Sequence, residues 1–204
     1  CCGAVAAGIC VTIFAPLPAA NGAFEIAGLQ APTTVEFDKF GAPHIRAASR
    51  EDAFAALGYV SGRDRLFQMD LLRRKAAGRL AEIFGQSLLK SDEWSRRMGF
   101  NQLSARILAQ LPAPQRAVLA AYAAGVNQAM QDARVWPVEF TLLRYGPEPW
   151  RMEDSLLVAL NLADLSYSEE QERIATVMRA ALPAAVVDFL TPEADCYNEA
   201  MAPR

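Results

Sequence analysis

The sequence predicts an α+β chain that is mostly helical, with a few strands confined to its N-terminal part. Residues 23–46 carry β-branched and aromatic side chains in rough alternation, which is the period of half-buried strands. From Ser49 onward, apolar residues recur at spacings of three and four, as they do along one face of a helix. Prolines and glycines divide this longer part into separate helices joined by short turns.

The first twenty-one residues differ in composition from everything that follows. Residues 1–20 contain no charged side chain, and a polar break comes directly after them. Because Pro16 and Pro18 interrupt the run and no basic stretch precedes it, we interpret it as a truncated or retained export segment. A buried strand or helix, or an apolar arm packed on a partner chain, is the alternative. The sequence thus divides into an export or anchor-like segment, 1–21, and one domain, 22–204.

The strand part contains three segments with extended character. They are residues 23–29, 33–38 and 44–46, and a turn separates the last two. Ser49 then stands three residues before Asp52, which is the spacing of a capping box and predicts the start of a helix.

Helices account for the remainder of the chain. Pro112 marks a boundary before an Ala-rich amphipathic segment over residues 114–134, and Pro149 ends the next helical stretch. Glu153 and Asp154 follow at the start of another helix, where carboxylates suit the positive end of the helix dipole.

Composition and charge narrow the classes of partner. With 204 residues and 52% hydrophobic content, the chain can bury one ordinary core or part of a larger one. A net charge of -3 argues against a nucleic-acid partner, which normally requires a basic excess. Basic residues cluster between positions 63 and 79, but acids are interleaved with them, and Asp70 and Arg74 have the i,i+4 spacing of a helix-surface ion pair. We therefore predict a solvated or internally paired face.

The residues alone indicate no catalytic constellation. A Ser-His-Asp or Cys-His site needs a histidine, and the chain has only His44, in an extended segment where a structural role is expected. The acids Glu169, Glu170 and Glu172 suit a solvated helix start better than a paired-carboxylate site.

Four blocks of sequence, taken together, carry a family resemblance. They are residues 28–49, 58–85 (GYVSGRDRLFQMDLLRRKAAGRLAEIFG), 121–130 and 137–156. In this order they resemble the α subunit of the penicillin acylase family, whose members are N-terminal nucleophile amidohydrolases. The resemblance covers roughly residues 22–175.

The resemblance implies that the chain forms part of a four-layer αββα N-terminal nucleophile hydrolase together with a β subunit cut from the same precursor. In that family the nucleophile is the first residue of β, usually Ser, and its free α-amino group serves as the base. We therefore expect no catalytic residue on this chain. We expect an exported heterodimer, periplasmic or secreted, that hydrolyses the amide bond of small N-acyl substrates.

The resemblance also implies one metal ligand on this chain. Matching a D-L-S sequence followed by a polar stretch and an acid places a calcium ligand at Glu172, with the remaining ligands on β. A carboxylate oxygen is a hard ligand that suits Ca²⁺. An exposed helical Glu is the alternative, and Glu169 or Glu170 would fit a shifted register.

The acyl-binding residues carry over to Leu162, Leu165 and Ser166. The two leucines are spaced i,i+3 and share a helix face, which core packing would explain equally well. Members that act on benzylpenicillin place a Met and an Arg-Phe pair in this region, so Leu and Ser favour a flexible acyl chain. N-acyl homoserine lactones and β-lactam side chains both remain candidate substrates. A rival interpretation is a non-catalytic helical interaction module, tethered to a membrane by residues 1–20.

Overall fold

A computed structural model gives the architecture of most of the chain. It describes residues 22–26, 28–165 and 169–191, except for the side chains of 163–165 and 169–171. The predicted export segment therefore lies outside the described residues. Among the helices described, none combines the length and apolar character needed to cross a bilayer. The chain divides into two units, the first ending at Leu162 and the second beginning at Ala163.

Two short strands precede the helices and form an antiparallel hairpin. They are β1, Thr34–Phe37, and β2, Pro43–Arg46, with Val35 opposite Ile45 in the register. The strand predicted over residues 23–29 is wrong, because residues 22–26 have no regular structure. Its apolar side chains pack on a helix instead of facing a partner strand, as shown by Phe24, whose ring lies 5.3 Å from that of Tyr59.

Helices make up the rest of both units, as predicted. They are α1 Arg50–Ala77, α2 Ala81–Phe84, a 3-10 turn Gly85–Leu88, α3 Leu89–Met98, α4 Phe100–Gln110, α5 Ala113–Asp132, α6 Val138–Leu143, α7 Met152–Leu165, α8 Glu169–Ala181 and α9 Ala184–Leu190. The second unit contains α8 and α9, which contact each other, and Val187 of α9 is buried.

Helix α1 begins at the predicted cap. The Ser49 hydroxyl accepts a hydrogen bond from the Asp52 backbone N–H at 3.0 Å, which satisfies one of the free donors of the first turn. The Asp52 carboxylate does not complete a capping box, because its Oδ1 accepts a hydrogen bond from the backbone N–H of Gln30 at 2.8 Å. The helix start therefore also holds the preceding segment. The helix ends at Gly78, whose φ of 67° needs the freedom of glycine.

The core of the first unit forms where α1 crosses α5 at very short range. A Cβ atom on Gly58 would lie 2.1 Å from the Tyr122 carbonyl oxygen, and one on Gly125 would lie 2.0 Å from the Ala55 carbonyl oxygen. The two helix backbones therefore touch directly. Around this crossing, six buried residues form one apolar cluster: Leu66, Met69, Ala123, Val126, Phe140 and Trp150.

The crossing predicts a large effect for one added methyl group. Replacing Gly125 by Ala would gain about 1 kcal/mol of helix propensity but force α1 and α5 apart, so we expect a net loss of about 3 kcal/mol in the free energy of unfolding. Urea denaturation of the purified protein measures this change in the free energy of unfolding. Ala124→Ser, at an exposed position of the same helix, is the control and should stay within about 0.5 kcal/mol of wild type. A Gly125→Ala protein as stable as wild type would contradict the close crossing.

Candidate functional site

Helix α7 carries the first of the residues predicted to bind the acyl group. Leu162 is 55% exposed, whereas Leu157 and Asn161 on the same helix are buried. Among the described residues, core packing accounts for Leu157 and Asn161 and leaves Leu162 mostly exposed. Leu165 is the last residue of α7, and its side chain lies outside the described part of the chain, as does Ser166 altogether.

Asn161 is a polar residue on the buried side of α7 that sequence reasoning missed. It is 1% exposed, and its Nδ2 has no hydrogen-bond acceptor among the described residues. Buried amides are normally satisfied, so this donor distinguishes the end of α7 from an ordinary core helix. In the sequence, only its position directly before Leu162 indicates that Asn161 lies near the predicted acyl-binding residues.

The segment leading into α7 is fixed by one asparagine on α5. Asn127 accepts a hydrogen bond from the backbone N–H of Trp150 at 2.7 Å and donates one to the carbonyl oxygen of the same residue at 2.9 Å. The indole N–H of Trp150 donates to the Ser155 hydroxyl at 3.0 Å. Both main-chain groups of a buried residue are thus satisfied by a single side chain.

Arg73 of α1 holds the same segment from the other side. Its guanidinium donates to the carbonyl oxygens of Glu148 and Pro149, at 2.8 and 3.1 Å, and to Oδ2 of Asp154 at 3.1 Å. Asp154 also accepts a hydrogen bond from the backbone N–H of Arg151 at 2.8 Å, which caps the start of α7. The predicted role of Asp154 at a helix start is confirmed, with a buried arginine as an additional partner.

Asp70 is the centre of this charge cluster. Its side chain is 1% exposed and accepts hydrogen bonds from Arg73, from Arg74 at 2.8 Å and from the Tyr145 hydroxyl at 3.0 Å. Burial and the neighbouring Asp70 carboxylate raise the pKa of the Tyr145 phenol. The Asp70–Arg74 pair has the predicted i,i+4 spacing, but the prediction that it lies on the helix surface is wrong, because both partners are buried.

The outer part of the cluster faces solvent. Arg79 donates to the carboxylates of Glu82 and Glu148, with shortest distances of 2.8 and 2.7 Å. The hydrogen bond from Arg79, opposed by partial burial and reinforced by the neighbouring positive charges, lowers the pKa of Glu148 to about 2. The pKa of Glu82 is lowered as well, with the same arginine as the main cause. Arg73, Arg74 and Arg79 are therefore internally paired, which agrees with the prediction of a solvated or internally paired face.

A cavity of about 380 Å³ opens beside the cluster. Arg73, Arg74 and Arg79 line part of it, yet each of these guanidinium groups is already bound to carboxylates. The cluster is consequently suited to hold elements in place, and not to bind an anion. His44 is the one histidine of the sequence and lies in β2, outside this charge cluster. Its Nε2 is 3.5 Å from Oδ2 of Asp38.

Glu172, the predicted calcium ligand, lies near the start of α8. Its side chain is exposed. Its backbone carbonyl oxygen accepts a hydrogen bond at 2.8 Å from the hydroxyl of Thr176, one turn further along the helix. An exposed carboxylate supplies the hard oxygen that Ca²⁺ prefers. The described residues contain no group of three potential metal ligands, and the role of Glu172 as a calcium ligand stays a prediction.

Comparisons with known proteins give the family of the chain. Residues 32–199 match the family model described as penicillin amidase. The chain is 43% identical over 148 residues to the penicillin acylase 2 proenzyme of Pseudomonas sp. (strain SE83), covering 72% of this chain and 19% of that protein. It is 32% identical over 188 residues to the acyl-homoserine lactone acylase QuiP of Pseudomonas fluorescens (strain Pf0-1), covering 91% of this chain and 23% of that protein.

A solved structure gives the class of fold. The thermostable penicillin G acylase from Alcaligenes faecalis superposes with a TM-score of 0.65 and 26% identity, over 85% of this chain and 95% of that chain. The mostly helical fold with two short strands is that of an N-terminal nucleophile hydrolase. The chain belongs to the penicillin amidase family, which confirms the resemblance found in its sequence. It spans only about a fifth of the length of the two curated relatives.

The paired cluster predicts a specific pH dependence. The lowered pKa of Glu148 means that its contribution to stability is fully present above its ordinary pKa of 4.5 and is lost as pH falls toward about 2. At pH 7 we expect Glu148→Gln to lower the free energy of unfolding by roughly 0.5–1 kcal/mol, because this carboxylate is half exposed and screened by solvent.

Thermal unfolding between pH 7 and pH 2.5 measures the dependence. The difference between wild type and Glu148→Gln should shrink below pH 4.5. The control is Glu93→Gln, at an exposed position of α3, which should follow wild type throughout. A difference that stays constant across the whole range would contradict the ion pairing described.

Proposed function

We propose that the chain is the α subunit of a heterodimeric acylase that hydrolyses the amide bond of N-acyl substrates. One observation carries the proposal: the chain coincides with 95% of one chain of a penicillin G acylase structure, but with only 19% of a related proenzyme. The matched region therefore corresponds to almost all of one chain of that acylase and to a small part of a larger proenzyme.

The chemistry would take place on a second chain, the β subunit. Its N-terminal residue, usually Ser in the family, would attack the substrate carbonyl, and its own α-amino group, with an unperturbed pKa near ~8, would accept the proton. Loss of the amine would leave an acyl-enzyme ester, which water then hydrolyses to the free acid. This account agrees with a chain whose one histidine lies in a surface hairpin.

The contribution of this chain would be to bind the acyl group and to position it. Leu162 offers an aliphatic surface that the chain itself leaves 55% exposed, and Leu165 and Ser166 would extend it. Such a wall suits a flexible aliphatic tail, so we favour N-acyl homoserine lactones over β-lactam side chains. Both kinds of substrate occur in the names of the relatives. Residues 1–21 would export the precursor to the periplasm or medium.

A direct test uses the complete reading frame that contains this chain. After expression and purification we expect two chains by intact mass, the second beginning with Ser. We expect decanoic acid release from decanoyl-homoserine lactone to exceed side-chain release from benzylpenicillin by at least ~10-fold in kcat/KM. Replacing the first residue of the second chain by Ala should abolish both activities. A single unprocessed chain without turnover would instead support the membrane-tethered interaction module.

Calcium binding is a second expectation, with Glu172 supplying one carboxylate to a structural ion completed by the β subunit. Removing the ion with a chelator should lower the melting temperature of the processed enzyme, because a ligand that binds only the folded state stabilises it. Glu172→Gln should remove most of this difference and reduce the bound calcium measured by atomic absorption. Glu169→Gln and Glu170→Gln are the matched controls, and a larger effect from either would mean that the ligand lies at that position.

A further inference from the structure

The contacts that hold the start of α7 are directional. Arg73 binds the carbonyl oxygens of Glu148 and Pro149, and Asn127 binds both main-chain groups of Trp150. Hydrogen bonds to main-chain groups need a donor–acceptor distance of roughly 2.9 Å and a nearly linear geometry, so they restrict movement of a segment along its own axis. The position of α7 along its axis is therefore set by α1 and α5, before the helix begins.

Arg73 is fully used in this role. Its five N–H groups make five hydrogen bonds: two to Asp70, two to main-chain carbonyl oxygens and one to Asp154. The guanidinium also lies 5.3 Å from the ring centre of Trp150, within cation–π range. A lysine has three donors on a flexible stem and cannot reproduce this planar fork.

The other end of the same helix carries the exposed leucine. Leu162 follows Asp154 by eight residues, which is about 12 Å along an α-helix. Leu157, on the buried side, packs in a second apolar cluster with Phe100. Because α7 is one continuous helix, an axial displacement at its start is carried to Leu162 without loss.

We propose that Arg73 is a positioning residue for acyl-chain selectivity. It sets the depth of the acyl-binding wall by fixing where α7 starts, without touching the substrate. The inference rests on the proposed function, because it assigns Leu162 to that wall. A displacement on the order of 1 Å in a binding wall is enough to change reaction rates substantially. When the wall lines the far part of the pocket, this displacement affects long acyl chains more than short ones.

The test compares Arg73→Lys with wild type in the complete processed enzyme. The readout is the ratio of kcat/KM for decanoyl- and hexanoyl-homoserine lactone. A loss of folded protein lowers both values equally and cancels in the ratio, whereas a displaced wall changes it. We expect the ratio to change by at least ~3-fold. Arg79→Lys is the matched control, since Arg79 belongs to the same charge cluster but binds only the side chains of Glu82 and Glu148.

The outcomes separate this inference from the proposed function. No amide hydrolysis by wild type would overturn the function itself. An active wild type with an unchanged ratio in Arg73→Lys would overturn the inference alone, as would an equal change in Arg79→Lys. If Arg73→Lys yields no soluble enzyme, Asp154→Asn replaces it. That variant keeps an oxygen for the Arg151 N–H but loses the charge that Arg73 binds, and the same ratio then decides.

Discussion

The buried ion pair between Asp70 and Arg73 is the constraint on which the first unit depends. Both side chains are almost completely removed from solvent, so their desolvation must be compensated by complete pairing. Breaking such a pair by removing one partner typically costs about 3–5 kcal/mol. The remaining N–H groups of Arg73 are satisfied only when Asp154 and the segment before α7 are also in place. One electrostatic requirement thus links residues 75 to 81 positions apart in the sequence.

A second constraint is geometric, and the two support each other. The direct contact of α1 with α5 brings Asn127 to the side of Trp150, while the charges of α1 bind the same segment from their own side. Helix α7 leaves this double attachment with a buried stripe through Leu157 and an exposed Leu162. Under the proposed function, the exposed Leu162 on this helix would form part of a wall in a site completed by another chain.

Local rules predicted the helices and the hairpin well, because capping, periodicity and proline positions act over a few residues. Ser49 and the β1–β2 turn are examples. The strand predicted over residues 23–29 is wrong because alternation alone does not reveal whether a partner strand exists. The burial of Asp70 and the contacts of Arg73 could not be predicted, because they join residues that are distant along the chain. The family was found through four blocks in order, whereas the roles of Leu165, Ser166 and Glu172 stay predictions.

The attachment of α7 has a consequence for how this sequence can change over evolutionary time. Arg73 contacts Glu148 and Pro149 only through their carbonyl oxygens, and Asn127 contacts the main chain of Trp150. Every residue type supplies a carbonyl oxygen, so these contacts place little demand on the side chains at positions 148 and 149. Position 149 is therefore free to drift in homologues while the helix keeps its place, provided that the arginine and the asparagine remain, whereas position 148 is also held by the ion pair of its carboxylate with Arg79.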